Sequence, residues 1–221
     1  MLLEIIATSV YDAFKAENAG ANRIELVENL EAGGITPDYG TIILTKKYLK
    51  IPVFPMVRPR GGDFVYADDE FELMCADIEI CKKAGCDGVV FGLLTRDNQV
   101  DTVRCKTLVA LARPMEVTFH RAFDVVANAF ESLEAIIELG FDRILTSGQA
   151  NTAWEGRDLI ADLIKKAGKR IVIMPGSGIR ETNIADLAAI TQASEFHSSG
   201  RNKGEDFVNE NMVKRMTALM K

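Results

Sequence analysis

The feature that most constrains this chain is a strict alternation of two patterns. Short apolar, β-branched runs fall at 2–7, 23–27, 53–57, 88–91, 116–119, 143–145, 170–174 and, most weakly, 195–196. Each is followed by a stretch of helical periodicity, at 10–18, 39–49, 69–84, 101–112, 128–139, 156–167, 183–190 and 206–220. Such alternation predicts parallel strands, because a parallel connection needs a crossover of about a dozen residues and a helix supplies it. Gly20, Gly85, Gly140 and Gly168 recur just before a strand, where a helix ends on a left-handed residue. Repetition of like βα units predicts an α/β fold, a (β/α)8 TIM barrel in a single domain over 1–221. A doubly wound open sheet is the alternative. It would place a glycine-rich turn after the first strand, where this chain has Thr8-Ser9.

Composition removes several classes of function. The net charge is −6, and no Lys/Arg run is long enough to follow a phosphate backbone, so nucleic acid is not the expected partner. Apolar runs such as Ile171-Val172-Ile173-Met174 are far shorter than the roughly 20 residues that span a bilayer. The opening Met1-Leu2-Leu3-Glu4 has no basic region and reads as a strand, not a signal peptide. Cys75, Cys81, Cys86 and Cys105 form no CxxC pair, which suits free thiols in the cytoplasm.

The chemistry is concentrated in the strand-to-helix loops, the side on which barrels build active sites. His120 and His197, the only histidines, are expected one position past strands five and eight, where imidazole suits proton transfer near neutrality. Arg58, Arg60 and Arg121 are candidates to clamp an anion. Gly176, Gly178 and Ser198 lie in the loops after strands seven and eight, and Ser147 in the loop after strand six, near where many barrels hold phosphate. Glu4 and Glu25 lie inside apolar strands, where an ionised carboxylate needs a partner. They fit either a salt-bridge layer with Arg23, Arg58 or Arg121 or a general-base role, and Glu25 or Asp124 is a candidate to move protons with His120. No strand ends in lysine, which disfavours Schiff-base chemistry.

With these residues placed, the sequence resembles the copper homeostasis protein CutC family. The resemblance is carried by Arg23-Ile24-Glu25-Leu26, Gly33-Gly34-Ile35-Thr36-Pro37, the segment Arg58-Pro59-Arg60-Gly61-Gly62-Asp63-Phe64, and Thr118-Phe119-His120-Arg121-Ala122-Phe123-Asp124. It continues in Leu145-Thr146-Ser147-Gly148-Gln149, Gly176-Ser177-Gly178-Ile179 and Phe196-His197-Ser198-Ser199, over about residues 2–200. The resemblance implies a cytoplasmic TIM barrel, a homo-oligomer (dimer or tetramer), with a part in copper handling. Copper proposals for the family rest on cysteines near the ends of strands one and two. Here those places hold Ile6, Ala7 and Val27, which leaves Met56 and Met174 as soft donors for Cu(I).

Two main expectations follow. In one the protein takes part in copper homeostasis and binds copper ion. In the other it is a metal-independent isomerase, lyase or hydrolase acting on a small anionic, perhaps phosphorylated, molecule. In that second case Arg58, Arg60, Arg121, Ser147, Gly176, Gly178 and Ser198 bind the substrate, and His120, His197, Glu25 and Asp124 move protons. A non-catalytic scaffold is a third option.

Overall fold

The computed structural model describes residues 1–202 and 204–220. Eight parallel strands alternate with eight helices: β1 Leu2–Ala7, α1 Val10–Asn18, β2 Arg23–Leu26, α2 Tyr39–Tyr48, β3 Val53–Pro55, α3 Asp68–Lys83, β4 Gly88–Phe91 and α4 Thr102–Ala112. The second half continues as β5 Glu116–Phe119, α5 Ala129–Leu139, β6 Arg143–Thr146, α6 Arg157–Ala167, β7 Val172–Pro175, α7 Ile184–Thr191, β8 Glu195–Ser198 and α8 Glu210–Leu219. Hydrogen-bonded ladders run in the orders β3-β2-β1-β8 and β4-β5-β6-β7. A parallel bridge between Met56 and Val90 joins β3 to β4, and β7 lies against β8, which closes the TIM barrel. No described helix is long and apolar enough to cross a membrane.

Helix starts follow local chemistry. Ser9, Asp38, Asp101 and Asn128 cap α1, α2, α4 and α5 by accepting backbone N–H groups. The last helix begins at Glu210, later than the expected 206, because Asn209 takes the capping role through Met212 N. Two strand ends also differ from expectation. β7 starts at Val172, and β8 extends through Ser198, so His197 lies within the strand. The β1–β8 ladder explains this: Glu4 is opposite His197 and Ile5 opposite Ser198.

The strands carry two different sets of side chains, as the two-residue period requires. Leu3, Ile5, Ile24, Leu26, Val89, Phe91, Val117, Phe119, Ile144, Ile173 and Phe196 belong to the buried apolar cluster shared with the helices. The intervening positions supply Glu4, Arg23, Glu25, Phe54, Thr118, Arg143, Met174, Glu195 and His197. Their contacts run across the barrel to one another. The charged strand residues are thus an inner layer of the barrel, enclosed by an apolar outer layer.

At the floor of this interior, Arg23 pairs with Glu4 and with Glu195 (2.7 Å), and Arg143 pairs with Glu195 (3.2 Å) and Glu116 (2.6 Å). Phe54 lies between the two guanidinium groups, its ring centroid 5.0 Å from Arg23 Cζ and 5.1 Å from Arg143 Cζ. Gly88 makes room for that ring, since a Cβ there would come within 2.4 Å of it. The expected salt-bridge layer exists and uses Arg23, with Arg143 in place of Arg58 and Arg121. Those two arginines have other partners, because their loops hold them at the opposite end of the barrel.

Candidate active site

Directly above the floor, strands β1, β2 and β8 bring three titratable groups together. His197 Nδ1 is 2.7 Å from Glu4 Oε1, and His197 Nε2 is 3.7 Å from Glu25 Oε2. All three side chains are buried. Burial opposes ionisation of Glu4, but Arg23 and His197 outweigh it and hold its carboxyl well below the usual range. Glu4 therefore stays ionised and keeps a proton on Nδ1 of His197, which leaves Nε2 as the nitrogen facing Glu25. Burial pushes Glu25 up to about 7, a rise to which Glu4 adds and which His197 and Arg23 oppose. Burial would lower His197, yet Glu25 and Glu4 raise it. The two inward positions of β1 and β2 have thus taken separate roles. Glu4 is an ion-pair anchor, whereas Glu25 keeps Oε1 without a hydrogen-bond partner among the described residues.

A cavity of about 530 Å³ opens from this pair towards the carboxyl ends of the strands. Glu25, Arg58, His120, Arg121, Asp124, Gly178 and His197 line it, together with Ile6, Met56, Phe64, Ser177, Arg180 and Ser199. His120 follows β5 directly. Its Nδ1 accepts the N–H of Ala122 (3.2 Å), so Nε2 carries the hydrogen, and Nε2 is buried with no partner. Burial and the nearby positive charge of Arg58 lower this imidazole to about 3, so it is a neutral donor at physiological pH. Phe64 packs on the ring at 4.9 Å. Gly92 is required beside it, since a Cβ there would lie 2.7 Å from His120 Nδ1.

Arg58 is 5% exposed and is held by three carbonyls, those of Ala32, Gly34 and Gly62 at 3.0, 3.0 and 2.8 Å. No carboxylate lies within 4 Å of it among the described residues, and its Nε is unpaired. A buried guanidinium without a carboxylate partner brings an uncompensated positive charge to this part of the cavity wall. Arg180, not among the candidates expected from sequence, adds a third arginine to the lining after Arg58 and Arg121. It is held by the Arg201 carbonyl (3.2 Å) and Asn202 Oδ1 (3.3 Å).

The other expected residues have different places. Arg60 does not line the cavity; it is tied to Glu70 and Asp63 on the loop surface. Asp124 lines the cavity edge, but its oxygens are filled by Thr146 Oγ1 (2.5 Å), Ser147 N (2.9 Å) and Arg121 Nε (2.8 Å), so it orders the β6 loop. Ser147 lies behind it, 2.9 Å from Asp124 Oδ2 and 2.6 Å from the Ala150 carbonyl. Ser198 donates to the Ile179 carbonyl (2.8 Å) and accepts from Gly200 N (3.1 Å), stapling the last two loops together. Gly176 backs the site, since a Cβ there would press on Leu145 at 2.5 Å. From these two loops Ser177, Gly178, Ile179, Arg180 and Ser199 reach the cavity. Ser177 does so in a left-handed conformation (φ 78°) that a non-glycine residue seldom adopts.

The donor set bears directly on copper. Glu4, Glu25 and His197 offer ligand atoms within 4.8 Å of one another, but Glu4 already serves Arg23 and His197. Cys81 and Cys105 are buried within α3 and α4, Cys75 is on α3 and Cys86 precedes β4. None is among the cavity residues. Met174 Sδ is engaged by Arg23 Nη2 at 3.2 Å, which leaves the Met56 thioether as the soft donor at the cavity. These residues do not fit a thiolate site for Cu(I).

Comparison with known proteins assigns the lineage. The model of the CutC family matches residues 1–202. The chain belongs to the CutC family. The human copper homeostasis protein cutC homolog is 49% identical over 200 residues, covering 90% of this chain and 73% of that protein. The CutC family protein of Chromobacterium violaceum is 48% identical, covering 90% and 81%. The crystal structure of a copper homeostasis protein CutC from Streptococcus agalactiae superposes with a TM-score of 0.86 at 35% identity, covering 90% of this chain and 98% of that one. Barrel enzymes far outside the CutC family share the fold alone. Phosphoribosylanthranilate isomerase from Pyrococcus furiosus superposes with a TM-score of 0.66 at 14% identity, covering 100% of this chain and 98% of that one.

Proposed function

We propose that this CutC-family protein is an acid–base enzyme acting on a small anionic molecule bound at the carboxyl ends of the barrel strands. The observation that carries the reading is a juxtaposition within one cavity. Glu25 and His197 are a buried acid–base pair 3.7 Å apart, and beside them Arg58 is a buried cation with no carboxylate within 4 Å among the described residues. A carboxyl that titrates near 7 is matched to general acid–base work at neutral pH. The uncompensated guanidinium selects for negative charge in the ligand. The test is to incubate the protein with a metabolite extract and follow small anions by mass spectrometry. Depletion by the wild type and none by Glu25→Gln is the expected result. No depletion, or equal depletion by both, contradicts the reading.

A direct part in copper handling, the role named for the relatives, rests here on Met56, whose thioether belongs to the same cavity. Cu(I) competition titration tests it. Stoichiometric binding that Met56→Leu weakens supports this second reading, and weak binding unchanged by the substitution removes it.

A further inference from the structure

The acid–base reading leaves the reaction open, and the arrangement around His120 narrows it. Resting on that reading, we propose that the cavity enolises a small anionic carbonyl compound that carries a hydrogen on the carbon next to its carbonyl. Glu25 takes that hydrogen as a proton, and Nε2–H of His120 donates to the carbonyl oxygen.

Three observations lead there. The Nε2–H of His120 is a buried donor with no acceptor in the protein, on a residue lining the cavity. A buried donor left unpaired is costly, and an incoming oxygen removes that cost. The hydrogen is fixed on Nε2 because the Ala122 N–H occupies Nδ1. The ring is neutral, held so by burial and by Arg58. A neutral imidazole is a weak acid, and it suits an oxygen that gains charge in the transition state without becoming fully protonated.

The second observation is the Glu25 carboxyl on the cavity lining: Oε1 is buried with no hydrogen-bond partner among the described residues, and Oε2 lies 3.7 Å from His197 Nε2. The third concerns the nucleophiles. Among the described residues no lysine or cysteine lines the cavity, and its serines are Ser177 and Ser199. Ser177 Oγ donates to the Asn151 carbonyl at 2.8 Å, and no histidine or carboxylate is hydrogen-bonded to Ser199 Oγ among the described residues. A serine nucleophile needs such a base beside it, whereas removal of a proton needs only a base and an oxygen donor.

The step balances without a further reagent. The C–H bond breaks to Glu25, its electron pair becomes the C=C of the enolate, and the carbonyl π pair moves onto the oxygen facing His120. Glu25 then returns a proton to carbon. Exchange of that proton through His197 Nε2 lets solvent hydrogen enter the substrate.

The experiment uses the full chain in D2O with dihydroxyacetone phosphate, glycolaldehyde phosphate and pyruvate as probes, followed by ¹H NMR. The wild type is expected to wash out the hydrogens next to the carbonyl of at least one probe above the buffer rate. Glu25→Gln should slow exchange at least 100-fold and His120→Gln at least 10-fold, with circular dichroism confirming that both fold. Gly92→Ala, which displaces His120 without removing any acid or base, should also slow it. Absence of wild-type exchange with all three probes overturns the proposal, as does exchange that survives Glu25→Gln. Glu25-dependent turnover of some other anion without such exchange would overturn enolisation and leave the broader acid–base reading standing.

Discussion

Glu4 and His197 are separated by 193 residues and meet across the β1–β8 seam, with Oε1 of the carboxylate 2.7 Å from Nδ1 of the ring. The ladder places them directly opposite each other, so the contact that closes the barrel also sets the tautomer of the histidine that faces Glu25. Stability and chemistry therefore share one carboxylate. Glu4→Gln should cost about 3 kcal/mol in urea unfolding, since it takes an anion from buried Arg23, and should loosen the tautomer seen in ¹⁵N spectra of His197. Glu4 has a lowered folded-state pKa, so its contribution is complete above the unfolded value near 4.5. It is lost as pH falls below that value, and wild-type stability should decline there more steeply than that of Glu4→Gln.

Glu25 has the opposite sign. Its carboxyl is raised from 4.5 to about 7, so the unfolded chain ionises first and the folded state is penalised as pH rises through 4.5 to 7. Glu25→Gln should be as stable as wild type near pH 4 and more stable by about 1–2 kcal/mol at pH 8. The gain is smaller than the full shift implies because His197 loses the partner that raises its own pKa. Chemical denaturation across pH checks this, and a variant less stable than wild type at pH 8 would count against it. A gain in stability on deleting the proposed base is the pattern expected of a site kept for function.

Two glycines separate packing from chemistry. A Cβ at Gly88 would sit 2.4 Å from the Phe54 ring between the floor arginines, and one at Gly92 would sit 2.7 Å from His120 Nδ1. Gly88→Ala should therefore destabilise by about 2–3 kcal/mol. Gly92→Ala should lower the rate of probe exchange at least 10-fold with a smaller effect on the melting temperature.

Arg58 gives a binding prediction. Inorganic phosphate should raise the melting temperature of the wild type by a few degrees at concentrations well above its Kd. Arg58→Met should abolish that shift. An equal shift in both proteins would place the anion elsewhere.

Most of the barrel was legible because its signals are local. Runs such as 88–91 and 116–119 coincide with β4 and β5, and the stretch 10–18 with α1. The extension of β8 to Ser198 was not, because its support comes from a ladder to the other end of the chain. In the site, His120 and the in-strand position of Glu25 could be read directly. The division of labour between Glu4 and Glu25 could not, since it depends on which carboxylate is level with Arg23 in the closed barrel. Arg58 and Arg60 look alike in sequence. One is anchored on backbone carbonyls inside the cavity, and the other pairs with Glu70 and Asp63 outside it. Arg180 and Phe64 carried the weakest signal, being single residues in loops whose other members, Gly176 and Gly178 in one and Arg58 and Arg60 in the other, have more specific chemistry.

The central claim is that a strand-borne carboxylate, Glu25, works as a proton-transfer group at neutral pH. Carboxyl ¹³C NMR of selectively labelled protein, with Glu25→Gln to assign the resonance, tests it directly. The account predicts a Glu25 titration near pH 7 that moves together with the His197 ring resonances. A Glu25 carboxyl that titrates near 4.5, independently of His197, would contradict it.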